Sequence, residues 1–244
     1  MKLQTIDINY YVYEDSNNGD PDTKSKKLNH YHYLLWNKKL PNKKLFKLEK
    51  IGRKTFYLKY ESNGKQMILS SDSIVHSYHY WKSMKKIIDS FDRCEINKFR
   101  RTGATIGGYI IFPSRRVNNK LTINAARGLN KMIKDRFDFT LECIRRWYLR
   151  IDSPLFSDLE RYKDFFLLFD NFKGYVDFFI LQDLVDIDYN VKFFLPFEEF
   201  GKTQPLPQTS IEYEEYMKNV LVFVQSRNNR IKEWAEKHSL LTLN

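Results

Sequence analysis

The chain of 244 residues is 42% hydrophobic and 29% charged, with only 9 Gly and 7 Pro, which excludes a disordered, collagen-like or low-complexity protein. Its length allows one large domain or two small ones and a core that needs no disulfide support. The net charge of +11 is unevenly placed: residues 1–150 hold 31 basic and 14 acidic side chains, a net of +17, and residues 151–244 hold 10 and 16, a net of −6. One part should therefore attract polyanions and the other repel them.

Ile6, Ile8, Tyr10 and Val12 alternate with Asp7, Asn9 and Tyr11 and predict an opening strand. Residues 16–22 read as a loop, after which Thr23 caps a helix with Leu28, Tyr31, Leu34 and Leu35 on one face and Pro41 at its end. Phe56, Leu58 and Tyr60 alternate again, and with Asn63-Gly64 and Met67–Leu69 they predict a hairpin. Ser71-Asp72-Ser73 reads as a helix start, followed by Ile74, Val75, Tyr78, Trp81, Met84 and Ile88 at helical spacing. A strand at Thr105–Pro113, a polar turn and a second strand at Leu121–Ile123 come next. Asn124 is then the expected cap of a long helix over about 125–149, with Leu129, Ile133, Phe137, Leu141, Ile144 and Tyr148 facing the core.

Beyond Ser153-Pro154, residues 155–170 read as helix, 175–185 as helix or buried strand, 191–195 as a short strand, 201–208 as a linker and 211–238 as a long final helix. The fold class expected is α+β and helix-rich, with a small, mostly antiparallel sheet supplied by the first half, in a single domain made of a basic part (1–150) and an acidic helical part (151–244). The first residues lack the apolar run of a signal peptide, and the apolar segments are too short to span a bilayer. Cys94 and Cys143 form no CxxC motif and read as free thiols, so a cytoplasmic protein is expected.

Two basic stretches differ in kind. Thr23–Tyr60 has 12 Lys/Arg, 11 of them Lys, against Glu49 alone, whereas Ser114–Arg150 has 10 basic residues, seven of them Arg, against three acids. Lys steers as a mobile point charge; the planar fork of Arg grips phosphate with two bonds. The candidate anion or nucleic-acid site is therefore Arg115, Arg116, Lys120, Asn124, Arg127, Arg145 and Arg146, with Arg127 in the first turn of the long helix, where free N–H groups would receive a phosphate. The alternative is a capped helix with solvated or paired arginines.

Asp135, Asp138 and Glu142 fall on one face of the same helix. They could hold a divalent metal, or they could be neutralised by Lys131, Lys134 and Arg146 at i,i+4 spacing. His76 and His79, and His30 and His32, have spacings that zinc ligands use, but no second Cys/His pair completes a site. Phosphate-loop, nucleophile-elbow and metalloprotease motifs are missing from the sequence. Aromatics interleave with charge in Tyr31–Trp36, Tyr57–Tyr60 and Tyr78–Trp81, where exposed rings would stack on unpaired bases and buried ones would form core.

The run TIGGYIIFPSRRVNNKLTINAARG followed by IKDRFDFTLECIRRWY, within Arg101–Tyr148, is similar to an uncharacterised bacterial family that carries only a domain-of-unknown-function label. SSDSIVHSYHYW (70–81), RYKDFFLLFDNFKGYVDFFILQDLV (161–185) and VKFFLPFEEF (191–200) share the likeness, which covers about residues 20–235. The resemblance implies one full-length bacterial module and brings no catalytic residues with it.

The first functional expectation is a nucleic-acid-binding protein that takes RNA or single strands rather than a specific DNA site, losing roughly 10³–10⁵ in affinity between 50 and 200 mM salt if about 6–10 phosphates are contacted. The second is an enzyme acting on nucleotide or nucleic acid, such as a nuclease or a nucleotidyl- or ADP-ribosyl-transferring toxin of a defence locus. Asp138 or Glu142 would be its acid/base, with no cofactor expected except Mg²⁺ for a nuclease. The third is a protein–protein module in which opposite-charge parts of two copies associate. No membrane partner is expected.

Overall fold

The computed structural model describes residues 5–17, 19–50, 58–62 and 65–241. Phe56, Tyr57 and the Asn63-Gly64 turn of the expected hairpin lie outside the described residues, but its two arms are present. Strands β1 (Leu48–Lys50), β2 (Leu58–Ser62), β3 (Lys65–Ser73) and β4 (Tyr109–Pro113) form an antiparallel sheet in that order. Leu58 pairs with Leu69, and Asp72 pairs with Ile110. The class is α+β and helix-rich, as expected.

Helices α1 (Pro21–Lys24) and α2 (Lys26–Trp36) precede the sheet. Ser25, not Thr23, caps α2 by accepting from the Leu28 N–H at 3.0 Å, and Asn37 closes it ahead of Pro41. The expected first strand is instead a series of turns, in which Tyr10 N–H reaches Asp7 O and Val12 N–H reaches Ala104 O. Tyr10 and Val12 are buried there without a strand neighbour to pair with.

The expected helix over 74–88 is replaced by the end of β3, a loop over 74–81, a 3-10 turn at Lys82–Met84 and the short α3 (Lys85–Ile88). Its apolar spacing serves a core contact made by a loop. Helix α4 (Arg93–Gly103) has no counterpart in the sequence reading, because only Ile96, Phe99 and Gly103 are buried on it. Asp92 caps it by accepting from Cys94 N–H at 2.6 Å.

The long helix expected over 125–149 is two helices, α5 (Ile123–Leu129) and α6 (Phe137–Tyr148). Thr122, not Asn124, caps α5, so Leu121–Ile123 is a helix entry and not a strand. Asn130 ends α5: its side chain accepts from Met132 N–H at 2.9 Å and donates to Pro154 O at 3.0 Å. Lys134 and Asp135 then take left-handed conformations, φ 48° and 60°, which reverse the chain before α6.

The C-terminal part is a succession of short helices: α7 (Phe156–Glu160), α8 (Lys163–Phe166) and α9 (Phe172–Phe178), joined by turns and a bridge between Val185 and Val191 in place of the expected strand. The final helix, α10 (Ser210–Leu241), matches its expectation. It packs against α3, α4 and the turn before β4. Buried apolar side chains from Ile6 to Ile231 form one cluster. No helix among the described residues is long and apolar enough to cross a membrane.

Candidate functional site

The break between α5 and α6 creates a charged cluster under the sheet. Arg127 is fully buried and pairs with the Asp72 carboxylate of β3. Its Nε donates to Thr140 Oγ1 at 3.0 Å and its Nη2 to Asp135 O at 3.2 Å, so one guanidinium ties β3, the reversal and α6 together. The rings of Phe112 and Phe137 lie 5.9 and 5.6 Å from it. The Asp135 carboxylate packs so closely over Gly128 that a Cβ there would lie 2.9 Å from its oxygen.

The acids of this cluster are poised unusually. Burial is the largest effect on Asp72 and, with Asp135, pushes its pKa up to about 6 against the pull of Arg127. Asp22 of α1 is pushed well above the ordinary carboxylate range by burial and by the Asp72 and Asp20 carboxylates. Its Oδ1 is sealed from solvent with no hydrogen-bond partner. The Asp72 carboxylate thus adds to burial in disfavouring the ionised form of Asp22.

A chain of donors runs into this pair. Trp36 Nε1–H donates to His32 Nδ1 at 3.0 Å, and His32 Nε2 lies 2.9 Å from Ser71 Oγ. Indole nitrogen only donates, so Nδ1 must accept. Burial, with some help from Arg227, lowers the His32 pKa to about 3, so the ring is neutral and its proton sits on Nε2. Nε2 therefore donates to Ser71, whose own hydroxyl hydrogen is left for Asp22. This polarity excludes a Ser71–His32 nucleophile–base pair, since the base nitrogen facing the serine already carries its proton.

The loop over 74–81 borders the cluster. His76 is influenced by both Asp135 and Arg127, and its Nε2 is buried without a partner. Two α10 side chains hold the loop from behind: Tyr216 Oη–H donates to His76 O at 3.0 Å and Tyr213 Oη–H to Ser77 O at 2.7 Å. Tyr78 turns inward with φ 56° and is buried. Tyr80 is left 84% exposed, its ring centroid 3.6 Å from that of His79. Half-buried Trp81 receives Lys134 Nζ at 4.9 Å over its ring. Lys82, Lys85 and Lys86, with Asp89 and Ser90, line a shallow depression immediately downstream. Among the described residues these three lysines have no ion-pair partner.

The residues singled out from sequence are divided. Arg115, Arg116 and Lys120 stand exposed on one turn, where Asn118 and Asn119 adopt φ 51° and 57°. Asn124 is half-buried, with its Oδ1 sealed and unpartnered. Arg127 lies in the last turn of α5 rather than the first turn of a long helix, and it is sealed inside. Arg145 and Arg146 both grip Glu142, through Nε bonds of 2.7 and 2.8 Å, and Arg146 also reaches Glu199 at 2.9 Å. The seven residues therefore do not assemble into one anion cradle.

Asp138 is fully buried, chelated by Arg136, and accepts from Phe194 N–H at 2.9 Å. Asp138 and Glu142 thus act as internal counter-ions. Asp135, placed in the reversal, does not share a helix face with them, and of the expected i,i+4 pairs Glu142–Arg146 forms. Among the described residues no group of three or more His, Cys, Asp or Glu side chains is placed to hold a metal ion. The sequence gives Asp22 only a place in a loop, Asp72 a place at a helix start and His32 a spacing to His30, and none of these points to the cluster they form. The local signal was a Ser-Ser-Asp run inside strand-like sequence, which also fits a helix start.

The chain belongs to the family of unknown function DUF6994, which matches residues 6–231. No curated protein and no solved structure matches it.

Proposed function

We propose that this member of the family binds single-stranded or unpaired nucleic acid, with Tyr80 and Trp81 stacking on bases and Lys82, Lys85, Lys86 and Lys134 meeting phosphates. The observation that carries this reading is the exposure of Tyr80, 84%, on a loop held from behind and followed by lysines that form no ion pair among the described residues. A large aromatic side chain that exposed contributes nothing to the core, whereas a base stacked on such a ring is worth about 1–3 kcal/mol. Arg115, Arg116 and Lys120 supply a second exposed basic turn.

Anisotropy titrations with labelled oligo-U, oligo-dT and a duplex test the reading. Four phosphate contacts to a single strand predict a salt slope of about −3, a loss of roughly 50-fold between 50 and 200 mM salt. Tyr80→Ala should weaken binding by about 5–150-fold, and the Lys82/Lys85/Lys86→Gln triple variant should flatten the salt slope. Affinity indifferent to salt, or loss only in an Arg115/Arg116/Lys120→Gln variant, would refute this interface.

A second reading, an enzyme on a nucleotide or nucleic acid, rests on the buried Asp22 and Asp72 carboxyls, both pushed upward in pKa first by burial. One carboxyl would donate and the other accept a proton. Incubation with labelled RNA, DNA and NAD, with and without Mg²⁺, should then give turnover that Asp22→Asn abolishes. Turnover that survives in Asp22→Asn removes the pair from the chemistry.

A further inference from the structure

Ile187 sits at the tip of a turn that its own hydrogen bonds fix. Val185 and Val191 bridge the base, and Asp186 N–H donates to Asn190 O at 2.9 Å. The Asp186 carboxylate accepts from Asp188 N–H at 2.9 Å and from Asn190 N–H at 2.8 Å, and Tyr189 closes the turn at φ 61°. Ile187 is left 92% exposed beside the exposed Asp188. Turns favour Gly, Pro, Asn, Asp or Ser, so nothing in the turn itself calls for isoleucine.

Ile187 and Tyr80 are the two most exposed large apolar side chains among the described residues. One such side chain is ordinary, but these two stand in surroundings of opposite sign. Tyr80 leads into the exposed Lys82, Lys85 and Lys86, with Asp89 as the acid lining the same depression. Ile187 stands between Asp186 and Asp188, neither of which forms an ion pair among the described residues. Bonds from Asn190 hold Asp186 below the ordinary carboxylate range, and Lys192 acts on it only at range. The neighbouring charges cancel within themselves, Asp177 with Lys173 and Asp183 with Arg230.

The two features are well separated in one molecule. Near one end of α10, Tyr213 holds Ser77 beneath the Tyr80 loop; further along, Arg230 holds Asp183 just before the acidic turn. These anchors are about 17 residues apart on the helix, or about 25 Å. The tip therefore stands away from the lysine face of its own chain and is open to that of another.

We propose that the chain associates with a second copy of itself, the Ile187 turn of one molecule seating beside Tyr80 on the lysine face of the next. The apolar tip meets the ring while Asp186 and Asp188 meet the lysines. The contact is heterologous, so each molecule keeps one unused tip or face unless a ring closes. It is small, which makes the association transient. It also covers the face assigned above to nucleic acid, so a strand and a second copy compete there; that competition rests on the nucleic-acid reading, whereas the self-contact does not.

Sedimentation equilibrium of the full chain, freed of nucleic acid by nuclease and a high-salt wash, tests the contact. At about 50 mM salt the average mass should climb with protein concentration above that of one chain, and by about 500 mM it should fall back as the exposed charges are screened. Ile187→Asp removes the tip and keeps the face; Tyr80→Ala/Lys85→Glu/Lys86→Glu removes the face and keeps the tip. All four side chains are exposed, so both variants keep the fold, and each alone should be monomeric. An equimolar mixture should form a complex that stops at two chains, because only one matching tip and face remain. Wild type that stays monomeric at every concentration, variants that associate like wild type, or a mixture that stays monomeric would each overturn the contact. Oligo-dT that binds and dissolves the assembly supports the competition, and oligo-dT that binds without dissolving it overturns the competition. Oligo-dT that does not bind overturns the nucleic-acid reading and leaves the self-contact standing.

Discussion

Arg127 of α5 and Asp72 of β3, 55 positions apart, form an ion pair in which the guanidinium is wholly buried and the carboxylate side chain is 13% exposed. The pair holds the chain reversal at Lys134 and Asp135, because the same guanidinium also donates to the Asp135 carbonyl. Removing one partner leaves the other charge buried. Arg127→Leu should therefore destabilise by about 3–5 kcal/mol in urea unfolding. The Arg127→Leu/Asp72→Leu double variant should recover part of that loss, and a double variant no more stable than the single one would show that the charge pair is not the source.

This pair also explains where the sequence is legible and where it is not. The α10 helix and the β2–β3 arms follow from local period alone, since their neighbours reinforce what the residues prefer. The 125–149 segment keeps a helical period through Ile133, Phe137 and Leu141, all buried, and still breaks. The break depends on Asn130 meeting Pro154 and on Arg127 meeting Asp72, and neither contact leaves a trace in a sliding window. Composition likewise reports that arginines are plentiful, but not that Arg136, Arg145 and Arg146 are paired with Asp138, Glu142 and Glu199 while Lys82, Lys85 and Lys86 form no ion pair among the described residues. Tyr78 and Tyr80 show the same limit: two positions apart in one aromatic run, one is buried and the other is 84% exposed.

His32 sets a pH dependence of known sign. The folded protein keeps its imidazole neutral down to about pH 3, whereas the unfolded chain takes up a proton near 6.5. The unfolded state binds more protons across that window, so stability is intact above about pH 6.5 and falls as the pH drops toward 3, by on the order of a few kcal/mol. Asp72, raised to about 6, acts in the opposite direction over part of the same range. The comparison is therefore between wild type and His32→Gln: their difference in unfolding free energy should shrink as the pH is lowered from 7 to 4. A constant difference would mean that His32 does not titrate as its burial requires.

Tyr213 and Tyr216 should fix the exposed loop rather than the core. Each phenol hydroxyl donates to a loop carbonyl, and each ring stays buried whether or not the hydroxyl is there. Tyr213→Phe and Tyr216→Phe should each lose about 0.5–1.5 kcal/mol. Amide hydrogen exchange should accelerate over 76–81 while α6 stays protected. If the loop meets nucleic acid through Tyr80, the double Phe variant should bind more weakly with its salt slope unchanged.

Arg227 is a severe test of buried charge, because among the described residues its partners are backbone dipoles and not a carboxylate. Its guanidinium donates to Gly107 O and Tyr109 O at 2.8 Å, Phe179 O at 3.0 Å and Ile180 O at 3.1 Å, tying α10 to the entry of β4 and the end of α9. Burial lowers its pKa to about 9, so it remains a cation at neutral pH. Lysine keeps that charge but lacks the planar fork that reaches several carbonyls at once. Both Arg227→Lys and Arg227→Met leave acceptors unsatisfied at about 1–3 kcal/mol each, so each should lose at least ~3 kcal/mol. A calorimetric melt in which Arg227→Lys matches wild type would show that charge alone, and not the fork, is what the four carbonyls require.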